Sequence, residues 1–157
     1  MAVARFYHLT RDPIEALLPT LIGKAIEGGL TVALRGTERA RMEALDRLLW
    51  LNEGFLPHGL AGGEHDADQP CLLLWDETPA GAIVNKPGCL VTVDGADVGA
   101  EEAQAIDKLC IVFDGTDQSA VDRARAQWRD LTGSGCHAEY WSRESGRWEC
   151  KARHPKG

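Results

Sequence analysis

The chain is predicted to fold as a three-layer α/β/α domain, a mostly parallel to mixed sheet with helices on both faces. Three observations predict it. Apolar runs of strand length alternate with apolar stripes of helical spacing over most of the sequence. Cys71–Trp75 and Leu109–Phe113 are continuously apolar, as strands covered on both faces are. His137–Trp141 and Arg147–Lys151 flank Arg143-Glu144-Ser145-Gly146 and read as a closing hairpin, which makes the sheet mixed. At 157 residues the chain can bury one core. No repeat, low-complexity tract or long linker divides it, so residues 1–157 are read as a single domain.

The elements follow in order. Ala4–Leu9 is the first strand. Asp12-Pro13 opens a helix, the aspartate as N-cap and the proline at the first helical position. Ile14, Leu17, Leu18, Leu21, Ile22, Ala25 and Ile26 recur at helical spacing. Pro19 inside that stripe predicts a kink or a later start. Gly28-Gly29 ends the helix, and Leu30–Leu34 is a short strand. Thr37 is the expected cap of a second helix with Met42, Leu45, Leu48 and Leu49 facing inward. Leu51 to Gln69 is a loop by composition. Cys71–Trp75, Ala82–Val84 and Cys89–Val93 are expected strands, the last two separated by a turn at Lys86-Pro87-Gly88. Ala100–Ile106 is a short helix. Leu109–Phe113 is a buried strand closed by Asp114-Gly115. A last helix runs from Gln118 to Leu131 and stops at Gly133. Val121, Ala124, Trp128 and Leu131 share one face of it, and Arg123, Arg125 and Arg129 sit around its solvent side and edge.

The net charge of -7 argues against a protein that coats nucleic-acid backbone. The charge is uneven. Residues 1–122 hold nine Lys and Arg against twenty Asp and Glu, whereas residues 123–157 hold eight against four. An acidic body thus carries a basic C-terminal quarter, either a solvated face or a place for something acidic. Five cysteines without CxxC spacing make neither a disulfide framework nor a zinc cage. Cys71, Cys89 and Cys110 read as buried thiols. The N-terminal residues lack the apolar run of a signal peptide, and no segment has the length of a membrane span. A reducing cytoplasm is the expectation.

Catalytic signatures are missing. There is neither GxxxxGK[ST] nor GxGxxG, and Thr10-Arg11-Asp12-Pro13 stands where a phosphate loop would be. Gly133-Ser134-Gly135 lacks the spacing of a nucleophile elbow. His8, His58, His65, His137 and His154 are scattered, and Asp94 and Asp97 read as turn formers. No catalytic residue, cofactor site or metal site is expected. Two features remain. Phe55, Leu56, Pro57 and Leu60 lie in a loop, where they either pack back into the core or meet a partner. Arg125, Trp128 and Arg129 neighbour one another on a helix. Arginine forks hold carboxylates and an indole accepts an apolar side chain, so the set suits an acidic peptide ending in an apolar residue with a free carboxylate. The plainer alternative is a core tryptophan with solvating arginines.

Leu49-Trp50, followed by Phe55-Leu56-Pro57-His58-Gly59-Leu60-Ala61-Gly62, resembles the signature of the chi subunit of bacterial DNA polymerase III. Ala4-Arg5-Phe6-Tyr7-His8-Leu9 resembles that family's first strand. The chain departs from the family pattern from Gly133 onward, where residues 133–157 form a basic hairpin and tail. The resemblance implies an accessory subunit without enzymatic activity. It implies a link between the clamp loader and the acidic C-terminal tail of single-stranded-DNA-binding protein, and pairing with the psi subunit. The family's tail-binding helix matches Arg125, Trp128 and Arg129, and Trp50 matches a tryptophan placed at the same pocket. Phe55 matches the psi anchor, with Leu56, Pro57 and Leu60 as neighbours. The expected chain is a monomer or heterodimer, without membrane contact or strong direct nucleic-acid binding. A small α/β enzyme with degenerate motifs is the competing reading, and a direct nucleic-acid binder using the basic quarter is a third.

Overall fold

The computed structural model describes residues 3–10, 13–51, 56–76, 78–143 and 145–155. The expected cap Asp12 and the expected anchor Phe55 lie outside the described residues. The strands are β1 (Val3–Leu9), β2 (Val32–Arg35), β3 (Gly59–Leu60), β4 (Cys71–Leu74), β5 (Cys89–Thr92), β6 (Lys108–Asp114), β7 (His137–Ser142) and β8 (Glu149–His154). The helices are α1 (Ile14–Glu27), α2 (Arg39–Trp50), α3 (Ala100–Ala105) and α4 (Gln118–Gly133). All eight strands join one sheet in the order β3-β4-β2-β5-β6-β1-β7-β8. Every pair is parallel except β7 with β8, so the sheet is mixed at that end alone.

Alternation along the strands divides the core in two. Tyr7 and Leu9 of β1 join Val32, Leu34, Val91, Cys110 and Val112 under α1 and α2. Ala4 and Phe6 join Leu72, Leu90, Leu109, Ile111 and Phe113 under α3 and α4. The fold is therefore α/β with helices on both faces, two to a face. The three thiols expected in the core, Cys71, Cys89 and Cys110, are buried on the α1/α2 side, and Cys136 is buried on the other. Burial pushes the Cys71 thiol up to about 12, the direction desolvation imposes on an acid.

Several local expectations change. Pro19 neither delays nor ends α1, which starts at Ile14 and runs through it; the proline loses only the bond to the Glu15 carbonyl one turn back. The cap of α2 is Glu38 rather than Thr37, and it bonds no helix N–H through its side chain. Leu48 is 41% exposed instead of facing inward. At 100° per residue it lies roughly 90° from the direction shared by Met42, Leu45 and Leu49. The loop from Leu51 to Gln69 includes β3 and a short 3-10 turn at Asp66–Asp68. Ala82–Val84 is no strand: Ala80–Ala82 is a 3-10 turn, and Val84 is exposed.

A buried ion pair holds the Ala80–Ala82 turn in place of a ladder. The Arg35 guanidinium donates to both Glu102 carboxylate oxygens, at 2.8 and 3.0 Å, and to the Thr78 and Asp97 carbonyls. Glu102 in turn accepts from the Ala80 and Gly99 N–H groups. Partial burial raises its pKa, but the Arg35 bonds and the two N–H groups overrule that, and the carboxyl is held below its ordinary value.

Candidate functional site

The sheet brings distant aromatic residues together under α4. Parallel register sets Phe6 beside Tyr140 and His8 beside Phe113. Trp128 descends from α4 onto Phe6, with ring centroids 5.3 Å apart. Tyr140 is fixed from behind by a hydrogen bond between its hydroxyl and His8 Nδ1, and by ring contacts with His8 and Phe113. The His8 ring has room because residue 115 is glycine; a Cβ there would overlap His8 Nε2.

Phe6, Phe113, Val121, Ala124, Trp128, Tyr140 and Ala152 line a cavity of about 400 Å³ together with Arg125 and Arg129. The sequence-predicted set Arg125, Trp128 and Arg129 is thus assembled in one place. Both arginines are exposed, and neither guanidinium has a hydrogen bond or ion pair among the described residues. Two like charges at i and i+4 cost a helix about 0.2–0.5 kcal/mol. An anion seated between them would remove that repulsion. The arrangement offers an apolar pocket for a side chain and two guanidinium forks for carboxylates. Phe6, Phe113, Tyr140 and Ala152 went unremarked as site residues in the sequence, because each lies on a strand whose position beside α4 is a tertiary fact.

Trp50 does not belong to this cavity. It ends α2 on the opposite face of the sheet, near the β3 edge, whereas the cavity lies under α4 near β7 and β8. Its ring stacks on His58 with centroids 4.2 Å apart and remains 51% exposed. His58 is buried, and its ring nitrogens meet the Leu56 and Asp46 carbonyls at 2.7 and 3.0 Å. The histidine of the Pro-His motif therefore ties its own loop to the last turns of α2. Leu56 points into the core, while Pro57 and Leu60 are half-buried. The apolar side chains presented here are Leu48, Trp50 and Leu51, the last 80% exposed. The two leucines were not identifiable as surface residues from the sequence.

A larger crevice of about 770 Å³ opens at the C-terminal ends of β1, β5 and β6. From there β1 leads to α1 on one face and β6 to α4 on the other, the switch point where α/β folds bind ligands. Its arginines are already engaged. Arg41 pairs with Glu15 and Asp94, and Arg123 with Asp97 and the Gly95 carbonyl. The Thr116 hydroxyl and N–H hold the Asp114 carboxyl below its ordinary value. Asp97 and Asp94 thus serve as ion-pair partners around a turn in which Asp94 adopts a positive φ of 55°. Among the described residues, no group of three or more His, Cys, Asp or Glu is placed to hold a metal ion. No helix among them is long and apolar enough to cross a membrane.

No curated protein matches the sequence. The family described as DNA polymerase III chi subunit, HolC, matches residues 1–139, which takes in the α2 end, the His58 loop, α4 and all of the cavity lining except Tyr140 and Ala152. The chain belongs to the DNA polymerase III chi subunit family.

Proposed function

We propose that the chain is a non-enzymatic replication adaptor that works in the cytoplasm. In this reading the cavity under α4 takes the acidic C-terminal tail of single-stranded-DNA-binding protein. The surface at the end of α2 pairs with the psi subunit or another clamp-loader protein. Family membership supports the polymerase III accessory role. The observation that carries the tail reading is the pair Arg125 and Arg129, without partners among the described residues, beside an apolar pocket. The terminal side chain enters between Trp128 and Tyr140, and the carboxylates take the guanidinium forks. One buried apolar anchor contributes about 1.5–3 kcal/mol, and each charge-assisted hydrogen bond about 1.5–3 kcal/mol. Ordering a flexible tail offsets much of that, so a micromolar Kd is the expected order.

The second surface is separate in kind. Leu48 and Leu51, three apart at the end of α2, and the exposed Trp50 ring put apolar surface at this end of the helix, the anchor chemistry of a protein–protein contact. The deciding experiment is capture by immobilised single-stranded-DNA-binding protein, full length against tail-deleted. Retention by the full-length protein alone supports the reading. Equal retention by both sinks it. A DNA mobility-shift assay with the isolated chain separates the adaptor from a direct nucleic-acid binder, which alone would shift DNA without its partner.

A further inference from the structure

Strand β8 lies beyond the residues that the family matches. Residues 140–157 carry five Lys and Arg against two Asp and Glu, whereas residues 1–139 carry twelve against twenty-two. β8 is an edge of the sheet: β7 takes one side of its backbone, and no other described strand takes the second. Lys151, Ala152, Arg153 and His154 are exposed along it. Register sets Ala152 opposite Tyr140, and both line the α4 cavity. A peptide leaving that cavity therefore meets the free edge of β8 at once.

We propose that β8 is the second half of the peptide site. An acidic, extended segment preceding the seated terminal residue pairs along its free edge, with carboxylates facing Lys151 and Arg153. The inference rests on reading the α4 cavity as the pocket for an acidic tail. A free edge presents N–H and C=O groups to any extended chain, so charge must select the occupant. A second copy added edge to edge would bring this basic strand against itself, and like charges facing across strands are destabilising. An acidic segment has the opposite sign. The β8 cations are held loosely enough to change partners. Lys151 meets Glu149 at 3.2 Å and Arg153 meets Glu139 at 3.6 Å, with about half of each cationic side chain exposed. Ala152 is exposed and lines the cavity on the side of this edge.

The test uses the full chain and labelled peptides of about nine residues that end in phenylalanine with a free carboxylate. One peptide carries aspartates upstream and the other serines. The aspartate peptide should bind the wild type about 5–10-fold more tightly. The double variant Lys151→Ala, Arg153→Ala should erase that advantage while leaving the serine peptide unchanged, and N-methylation of alternate upstream amides should weaken the aspartate peptide by removing its backbone donors. If the alanine variant loses its cooperative melt, Lys151→Gln with Arg153→Gln replaces it. Equal binding of both peptides by the wild type, or equal losses for both in the variant, overturns the proposal. So does a concentration-dependent dimer that Lys151→Glu dissolves, since the edge would then hold a second copy. Removing the phenylalanine from the aspartate peptide examines the pocket itself. A loss above about tenfold supports it, and no loss overturns the pocket reading whatever β8 does.

Discussion

The crevice at the strand ends and the cavity under α4 share Phe113 and Ala124 as a common wall and differ in the state of their arginines. The crevice at the strand ends is the larger and stands where α/β enzymes work. Yet Arg41 and Arg123 are tied to neighbouring carboxylates there, so the site's charge is balanced from within. The α4 cavity is about half the size, and its arginines repel each other with no carboxylate paired to either among the described residues. Size alone would single out the crevice, whose charge is already balanced. An unbalanced charge beside apolar surface is the better mark of a place for a partner, because the protein bears a small cost there that an anionic ligand would relieve.

Substitutions test that contrast directly. The largest effect is expected from Arg125→Ala combined with Arg129→Ala, which should weaken binding of an acidic tail peptide about 100-fold while leaving the melting temperature nearly unchanged. Fluorescence anisotropy and a thermal melt read both. Next comes Trp50→Ala with Leu51→Ala. It should weaken the second, clamp-loader partner at least about tenfold and leave tail-peptide affinity within twofold of wild type. Phe55→Ala should likewise spare the tail. Equal losses of both partners in any of these variants would collapse the two-surface picture. Raising monovalent salt from about 50 to 300 mM should weaken the tail peptide several-fold, since exposed charge pairs are screened; salt-independent binding would remove the arginines from the account. The smallest effect is expected from Arg41→Ala, which breaks only pairs internal to the crevice and should leave tail affinity unchanged. A measurable loss there would shift attention to the larger cavity.

What could be read from the sequence follows from the range of the forces involved. The strand and helix alternation is local, and so is the clustering of Arg125, Trp128 and Arg129 on one helix. Both were legible. Leu48 was not, because a residue on the shoulder of an apolar stripe is assigned by what lies opposite. Ala82–Val84 has strand composition, but the Arg35–Glu102 pair claims its surroundings and bends the chain into a turn. Trp50 was matched to the tail pocket by family resemblance. Only the topology places it on the other face, stacked on a histidine that its own helix holds. Ala152 carries no chemical signal at all. It becomes a cavity wall through a pairing across the hairpin.

The strand order has a mechanical consequence. β3 and β8 are the two ends of the sheet, and the two proposed docking surfaces lie near those ends. Eight strands at about 4.8 Å spacing put the edges roughly 34 Å apart. Tension between two partners would therefore run across the strands, along the hydrogen bonds rather than along the covalent chain. The weakest link in that direction is the two-residue ladder of β3 on β4. Leu48 and Trp50 belong to α2 itself, so load on that surface enters a helix packed on the core and bypasses this ladder. Load applied at the two proposed surfaces would therefore spare the short β3 rim and be borne by the parallel centre of the sheet.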